Sequence, residues 1–281
     1  MTEALPGPVA LVALDVDGTV LTPEGRIARS TAAAVAAARA NGVRVVLASS
    51  RGPVALERIQ AGLDLQDEWF IGYQGAMVAR RVGSDVEILA ERPVDPATAL
   101  DVEERAEAAG VSIGRYIGAR WRVPRITAAI RREAAETGEE PLVSTPQQRN
   151  DDAAPHKLAA MADGPAEAEA LRRLAAALPA GVSAVFSHPW FLEITADGVD
   201  KAAGLRSLAA RLGVPLEATA AVGDGLNDLG LFAAVGTAVA MGQAQADVQA
   251  AADWVTSSNT EDGVARALAH LGLAPGHAER F

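Results

Sequence analysis

Residues 11–20 read LVALDVDGTV, a stretch that joins an apolar strand to two carboxylates. Its first half is a run of apolar residues, which is typical of a strand covered on both faces. Asp15 and Asp17 follow one residue apart, so an extended backbone directs both side chains to the same side. Like charges this close destabilise each other unless a cation or a shared proton intervenes. The stretch indicates either a cation site at a strand's carboxyl end or an ordinary turn, in which Asp and Gly simply end the strand.

A second acidic strand end favours the cation site. In VGDGLND, residues 222–228, Asp224 comes directly after an apolar run, and Asn227 and Asp228 follow within one helical turn. A simple turn requires no second copy of this arrangement. Oxygen ligands suit Mg²⁺, which takes one or two carboxylates and leaves room for water and a phosphate oxygen. In open α/β sheets, ligands bind beyond the carboxyl ends of the strands, so both stretches are predicted to meet at one such edge.

Both ends of the chain alternate strands with helices. Near the N-terminus, VALVALD (9–15), STAAAVAAARANG (30–42) and VRVVLASS (43–50) predict a βαβ unit, in which Ser30 can cap the helix and Gly42 can end it. The same alternation returns in a helix over about 200–212, a strand over 218–224, a helix near 226–234, a strand over 237–241 and a helix over about 261–272. We therefore predict an α/β fold, a doubly wound, Rossmann-like parallel-sheet core built from both ends of the chain.

The middle of the chain has a different pattern and predicts an insertion. The strands EILAERPV and VSIGRY and helices over about 96–109 and 165–178 indicate a smaller α/β domain with antiparallel strands. Asp95 and Pro96 form a suitable N-cap and first turn, with Gly110 beyond the helix end. The run PLVSTPQQRNDDAAPH, 141–156, is predicted to be loop. The expected division is a core of residues 1–83 and 189–281 with an inserted domain of residues 84–188.

Composition excludes several classes of partner. The formal net charge of −11 argues against binding nucleic acid or an anionic membrane, since both require clustered cations. No cysteine occurs, so thiolate metal sites and disulfides are excluded. The first residues do not resemble a signal peptide, and no apolar run has the length of a membrane span. We expect a cytoplasmic soluble protein, as a monomer or homodimer.

Only two of the 25 basic residues are lysines, Lys157 and Lys201. A chain that otherwise uses arginine keeps a lysine where a compact point charge is required. Either lysine is therefore a candidate for such a role, and the family resemblance described below favours Lys201. Lys157 is predicted to be an ordinary solvated residue.

Four motifs together resemble the haloacid dehalogenase superfamily: DVDGT, the serines that end the second strand, a solitary lysine and GDGLND. Further similarity to the Cof-type, type IIB capped phosphatases runs through nearly all of the core, in IGYQGAMV (71–78), LEITADGVDKAAGL (192–205), AMGQAQADV (240–248) and ADWVTSSNTEDGVARAL (252–268). That group carries an α/β cap domain where this chain has its insertion. The resemblance implies a Mg²⁺-dependent phosphatase whose substrate is a small phosphorylated metabolite, such as a sugar phosphate.

The resemblance also assigns roles. It implies that Asp15 is the nucleophile that forms an aspartyl-phosphate and that Asp17 is the general acid and base. The implied Mg²⁺ ligands are Asp15, the backbone carbonyl of Asp17, Asp224 and Asp228, the last either as a direct ligand or through water. The implied phosphate-binding residues are Ser49, Ser50, Lys201 and Asn227.

The chain departs from the family pattern at four places. Residues 49–51 read SSR where Thr-Gly-Arg is frequent, although a serine hydroxyl can make the same bond. Gln74 and Gln243 stand where asparagine is usual, and Gly230 replaces a larger residue.

Weaker candidates lie in and beside the insertion. We expect His188 to be structural, and Glu193 to be either a hinge or a substrate contact. Arg115, Arg120 and Arg122 either form a solvated face, which we expect, or line a pocket for an acidic substrate. Two rival functions remain open: a phosphomutase of the same superfamily, and a catalytically inactive metabolite-binding protein.

Overall fold

The structure is a computed structural model and describes residues 8–83, 85–151 and 153–275. Its strands are β1 (Leu11–Leu14), β2 (Arg44–Ala48), β3 (Phe70–Gly72), β4 (Met77–Val82), β5 (Asp85–Glu91), β6 (Ser112–Ile117), β7 (Arg120–Val123), β8 (Pro141–Val143), β9 (Lys157–Met161), β10 (Val182–His188), β11 (Phe191–Ala196), β12 (Thr219–Gly223), β13 (Thr237–Ala240) and β14 (Trp254–Val255). Its α-helices are α1 (Arg29–Ala40), α2 (Pro53–Gly62), α3 (Pro96–Ala108), α4 (Ala128–Thr137), α5 (Pro146–Asp151), α6 (Pro165–Ala176), α7 (Lys201–Leu212), α8 (Leu229–Phe232), α9 (Ala246–Ala250) and α10 (Gly263–His270). Short 3₁₀ turns cover Tyr73–Gly75, Leu216–Ala218 and Leu226–Asp228.

Two compact units divide the chain. Among the described residues, the core unit consists of those before Arg51, of Leu56–Ala90 and of those from Asp200 onward. The second unit consists of Arg51–Ala55 and Glu91–Val199.

The core unit is built on a sheet in the order β14-β13-β12-β1-β2-β3-β4-β5. The pairs from β14 to β3 are parallel, and β4 runs antiparallel to β3. The chain leaves β1 toward β2 on one side and returns to β12 on the other, so the strand order reverses between β1 and β12. Such a reversal opens a crevice at the carboxyl ends of the strands. The predicted doubly wound α/β core is confirmed.

Strand β1 is buried on both faces. Leu11 and Ala13 pack in one apolar cluster with Leu205 and Leu208 of α7. The alternate residues Val12 and Leu14 point to the opposite face and are also fully buried. A strand with no solvated face fixes its own register, because a slip by one residue would exchange the two sets of side chains. The position of Asp15, the first residue after β1, is fixed in this way.

The second unit has a six-stranded sheet in the order β10-β11-β9-β6-β7-β8. Its described pairings are antiparallel except that β7 and β8 run parallel. Helices α3 and α6 cover one face, where Val102 and Leu171 pack against Ile113, Leu158 and Ile194. The unit therefore has its own core.

The edges of this unit differ from the insertion expected at 84–188. Strand β5 belongs to the eight-stranded sheet, although the expected boundary precedes it. At the other edge, β11 pairs with both β9 and β10, so the turn around Pro189 joins two strands of one sheet. The expected boundary between residues 188 and 189 therefore falls inside the hairpin of β10 and β11.

The structure also tests three local predictions, two of helix caps and one of a loop. Asp95 does cap its helix, since its carboxylate accepts a hydrogen bond from the backbone N–H of Thr98 at 3.0 Å. The Ser30 cap is wrong: α1 begins at Arg29, and the Ser30 hydroxyl donates to Asp262 Oδ1 at 2.5 Å. The predicted loop 141–156 is wrong in part, because it contains β8 and α5.

Candidate active site

Three aspartates converge at the reversal of the strand order. Asp15 follows β1, and its N–H donates to the carbonyl of Val222 in β12 at 2.9 Å. Asp224 follows β12, and Asp228 ends the 3₁₀ turn that comes next. One carboxylate oxygen from each of the three lies within 4.8 Å of the others. The parallel pairing of β1 with β12 thus unites two motifs that are about two hundred residues apart in sequence.

Lys201 joins this cluster from the first position of α7. Its Nζ donates to Asp15 Oδ1 at 2.5 Å and to Asp228 Oδ1 at 2.7 Å. The side chain is 1% exposed, so both ion pairs are shielded from water. Asp200 caps α7 by accepting from the N–H of Ala203 at 2.6 Å. The cap and the helix together fix the point from which the lysine extends.

Asp228 orders the loop that carries Asp224. Its second oxygen accepts hydrogen bonds from the backbone N–H groups of Asp224, at 3.1 Å, and Gly225, at 3.0 Å. Asp228 is fully buried, and its two oxygens are divided between the loop and Lys201. On the other side, the buried hydroxyl of Thr19 donates to Asp224 Oδ1 at 3.1 Å. Sequence reasoning missed Thr19, although it stands in the DVDGT motif.

The electrostatics of the cluster favour a divalent cation. Burial raises the pKa of Asp15 well above its ordinary value, and the Asp228 and Asp224 charges add to this against the opposing effect of Lys201. Burial and Asp228 likewise raise the pKa of Asp224. Burial alone would lower the pKa of Lys201, but Asp15 and Asp228 together hold it above its ordinary value. Three carboxylates against one ammonium leave two surplus negative charges, and an all-oxygen donor set of this kind fits Mg²⁺.

Asp17 is placed differently from the other three aspartates. Its side chain is exposed, and its carboxylate is not part of the cluster formed by Asp15, Asp224 and Asp228. Its backbone pairs with Leu21 in an isolated parallel bridge. Gly18, the next residue, has a φ of +82°, and a side chain there would collide with the carboxylate of Asp224. The loop that carries Asp17 therefore lies directly against the cluster.

The predicted phosphate-binding residues lie on neighbouring segments of the core unit. Ser49 follows β2 and is buried, with its N–H donating to Ile71 O at 2.8 Å. Ser50 is half-buried. Asn227 Nδ2 donates to Gln74 Oε1 at 3.2 Å, and the backbone of Gln74 has a positive φ of 59°. Gln74 thus positions an amide that the sequence had assigned to phosphate binding.

In the second unit, the prediction for Lys157 is wrong. Lys157 is 3% exposed rather than solvated, and its Nζ donates to Glu193 Oε1 at 3.0 Å. The ammonium also lies 4.7 Å from the ring centroid of Tyr116, within cation–π range. A buried lysine is tolerated here because an ion pair with a buried carboxylate and a cation–π contact offset the cost of removing its charge from water. Glu193 is accordingly half of an ion pair.

The remaining candidates of the second unit divide into buried and exposed. Arg115 is buried, and its guanidinium donates to both carboxylate oxygens of Glu103 at 2.7 and 2.8 Å, so its assignment to a solvated face is wrong. Arg120 is exposed and Arg122 half-buried. His188 is exposed, and its Nδ1 accepts from the N–H of Trp190 at 3.4 Å.

Glu133 gives the second unit a stability that depends on pH. Burial, together with Glu193 and against the opposing charge of Lys157, raises the pKa of Glu133 from 4.5 to about 7. The folded state then binds the proton more tightly than the unfolded state does, so stability is lost as the pH rises from 4.5 to about 7. We expect Glu133→Gln, which keeps an acceptor for the Tyr116 hydroxyl, to raise the free energy of unfolding above pH 7 by about 2 kcal/mol.

Urea unfolding of wild type and Glu133→Gln at pH 4.5 and pH 8 measures this effect. The gain should appear at pH 8 and shrink at pH 4.5, while Glu104→Gln, at an exposed site on α3, should show no such trend. An equal gain at both pH values would contradict the assigned cause.

No helix among the described residues has the length and apolar character needed to cross a membrane.

Comparisons with known proteins match most of this chain to one family of hydrolases. A family model described as haloacid dehalogenase-like hydrolase matches residues 12–268. The putative phosphatase YxeH of Bacillus subtilis (strain 168) is 29% identical over 278 residues, which cover 94% of this chain and 98% of YxeH. The 5-amino-6-(5-phospho-D-ribitylamino)uracil phosphatase YcsE of the same organism is 44% identical over 87 residues, or 31% of this chain. That match spans about a third, 35%, of the length of YcsE.

Two solved structures share the fold over nearly the whole chain. A haloacid dehalogenase-like hydrolase from Bacteroides thetaiotaomicron superposes with a TM-score of 0.84 at 26% identity, covering 94% of this chain and 99% of that one. A sugar phosphatase of haloacid dehalogenase subclass IIB gives a TM-score of 0.82 at 24% identity, covering 94% and 100%. At that identity the second likeness concerns the fold alone.

Proposed function

Because this chain belongs to the haloacid dehalogenase-like hydrolase family, we propose that it is a Mg²⁺-dependent phosphatase that hydrolyses a small phosphomonoester through an aspartyl-phosphate on Asp15. The observation that carries the proposal is the buried cluster in which Asp15 lies with Asp224, Asp228 and the ammonium of Lys201. A carboxylate held beside a fixed cation, at a crevice where ligands bind, is equipped to attack a phosphate ester.

In the first step, a carboxylate oxygen of Asp15 forms a bond to phosphorus as the bond from phosphorus to the leaving oxygen breaks. Asp17 donates a proton to that oxygen, so the product leaves as an alcohol. The exposed side chain of Asp17 supports this role, since a proton donor has to reach a leaving group outside the buried cluster.

In the second step, a water oxygen attacks phosphorus, Asp17 accepts a proton from the water, and the bond to Asp15 breaks. Inorganic phosphate leaves, and both carboxylates return to their starting states. Lys201, Ser49, Ser50 and Asn227 hold the phosphoryl oxygens, where negative charge spreads in the transition state. Mg²⁺ held by Asp15, the Asp17 carbonyl, Asp224 and Asp228 would offset that charge.

We propose a sugar phosphate or a similar polyol phosphate as the substrate. The name of YcsE specifies a phosphate on a ribityl chain, and its 44% identity over 87 residues supports a related chemical class. We further propose that the insertion, expected at 84–188 and observed as the unit that contains Glu91–Val199, acts as a cap domain that selects the substrate.

Phosphate release from a substrate panel tests the proposal. The panel contains sugar phosphates, pyridoxal phosphate, flavin mononucleotide and nitrophenyl phosphate, each with Mg²⁺ and with chelator. We expect release to fall by at least about 100-fold in chelator and to recover with Mg²⁺. Mg²⁺ should also raise the melting temperature, since an ion that binds only the folded state stabilises it.

A pair of variants sharpens this test. Asp224→Asn removes a proposed ligand and should require more Mg²⁺ for both activity and stabilisation, whereas Asp247→Asn, at an exposed site on α9, should match wild type. Release that is unaffected by chelator would contradict the metal requirement. Turnover that appears only with a bisphosphate activator and two isomeric sugar phosphates would replace the phosphatase by a phosphomutase.

A further inference from the structure

The backbone around Asp17 forms a tight loop. The N–H of Leu21 donates to the carbonyl of Val16 at 2.9 Å, and the N–H of Thr19 donates to the same carbonyl at 3.3 Å. The carbonyls of Gly18 and Leu21 accept hydrogen bonds from side chains of other segments. This backbone sets the point from which the exposed side chain of Asp17 extends.

Two amide side chains bind those carbonyls. Gln243, from the loop after β13, donates from Nε2 to Gly18 O at 2.5 Å. Asn259, from the loop before α10, donates from Nδ2 to Leu21 O at 2.7 Å. The two residues are also bonded to each other, since the N–H of Asn259 donates to Gln243 Oε1 at 3.1 Å. Two carbonyls that follow Asp17 in its loop are therefore bonded to one connected pair.

The pair is itself anchored to the sheet. Gln249 of α9 donates from Nε2 to the carbonyls of Gly242 and Ala244, at 2.9 and 3.0 Å, and so fixes the residues on both sides of Gln243. Gly242 N–H donates to Ser257 O at 3.0 Å, which joins the two loops. Met241 N–H donates to Gly223 O at 2.9 Å, at the end of β12 that precedes Asp224. These hydrogen bonds thus connect the loop of Asp17 to the end of β12, which directly precedes Asp224.

We infer that Gln243 and Asn259 are positioning residues that hold Asp17 in place for proton transfer to the leaving group. This inference rests on the proposed function. Gln243 is exposed, so its hydrogen bonds exchange readily with water and contribute little net stability. These hydrogen bonds instead fix the position of Asp17, and a proton donor displaced by about 1 Å can lose on the order of 100-fold in rate. Residue 243, where the family usually has asparagine, would therefore serve to position Asp17.

Leaving-group dependence tests the inference. An alkyl phosphate requires a proton on its leaving oxygen, whereas nitrophenolate leaves without one. The ratio kcat/KM reports the steps up to departure of the leaving group. We expect Gln243→Ala and Asn259→Ala to lower kcat/KM for an alkyl phosphate on the order of 10-fold or more, but for nitrophenyl phosphate less than about 3-fold.

Two further variants separate hydrogen bonding from bulk. Gln243→Met keeps most of the bulk and adds no charge beside Asp224, which Gln243 also contacts, but it cannot donate to Gly18 O, so it should be as deficient as Gln243→Ala. Gln245→Ala, at an exposed glutamine of the same segment, should match wild type for both substrates. Melting temperatures should stay within about 2 °C of wild type, as expected for surface substitutions.

The outcomes are separable. An equal loss for both substrates together with a lower melting temperature would reduce the pair to a structural role, and unchanged kinetics would remove it. Either result, with release that still depends on Asp15, overturns only this inference. Absence of release, or release by Asp15→Asn at the wild-type rate, overturns the proposed function as well.

Discussion

Asp15→Asn is expected to lower phosphate release by at least about 1000-fold, because an amide cannot form the acyl-phosphate bond. The substitution is nearly isosteric, and the amide would still offer an oxygen to Lys201 Nζ, which in the wild type donates to Asp15 Oδ1 at 2.5 Å. Initial rates with the substrate that the panel ranks first, at saturating Mg²⁺, measure the loss.

The same substitution should not destabilise the metal-free protein. Burial and two neighbouring carboxylates oppose the charge of Asp15, as the raised pKa of its carboxyl shows. Removing that charge lowers the surplus of negative charge in the cluster, so thermal unfolding in chelator should give a melting temperature equal to or above that of wild type. Loss of activity together with unfolding would contradict this account.

Asp15→Glu serves as the positional control. It retains a carboxylate but lengthens the side chain in a site that is 5% exposed, where one added methylene is poorly accommodated. We expect it to be folded, less stable than wild type and inactive. Substantial activity in either variant would place the nucleophile elsewhere and remove the proposed mechanism.

The convergence of Asp15 with Asp224 and Asp228 could be predicted because its determinants are local. Asp15 and Asp224 each follow an apolar strand directly, and carboxyl ends of parallel strands meet whenever the strands pair. In the structure, the parallel pairing of β1 with β12 brings these two strand ends together. The scarcity of lysine drew attention to Lys201, but it marked Lys157 equally, and only the resemblance to the family distinguished the two.

The second unit was predicted less well because its determinants are distant in sequence. Lys157 stands next to a polar run that reads as loop, and nothing nearby indicates that Glu193 will neutralise it inside the sheet. The bidentate pair of Arg115 with Glu103 likewise joins a strand to a helix. A buried charge becomes tolerable only through its partner, so burial cannot be inferred from either residue alone.

The bonds of Gln243 and Asn259 were unpredictable for another reason. Each amide donates to a backbone carbonyl, of Gly18 or Leu21, and any residue type could supply that carbonyl. The sequence therefore carries no complementary signal at the receiving end. It showed only that Gln243 departs from the residue usual in the family.

Lys201→Met is expected to destabilise the protein by about 3–5 kcal/mol, since it leaves two buried carboxylates without their cation. Lys201 Nζ contacts Asp15 and Asp228, and both carboxylates are buried. Phosphate release should fall by about 1000-fold, because the fixed charge that stabilises the transition state is lost. Lys201→Arg should not restore it, since a planar fork cannot occupy a site shaped for a compact ammonium.

Mg²⁺ provides a second measurement, which a general loss of stability cannot imitate. Without the ammonium, the three carboxylates of Asp15, Asp224 and Asp228 are opposed by no positive charge within the cluster, so the site should bind Mg²⁺ more tightly. The rise in melting temperature between chelator and Mg²⁺ should therefore be larger in Lys201→Met than in wild type.

Lys157→Met is the matched control for this measurement, because it breaks the other buried lysine pair of the chain. It should lower the melting temperature in chelator, since it removes the ammonium that pairs with the buried carboxylate of Glu193. Its rise with Mg²⁺ should nevertheless equal that of wild type, because the carboxylate that pairs with Lys157 is Glu193, which is not one of the three in the metal cluster. A larger rise in melting temperature in both variants would show that Mg²⁺ merely stabilises any weakened protein. A larger rise in Lys201→Met alone would show that the ammonium of Lys201 and Mg²⁺ neutralise the same carboxylates.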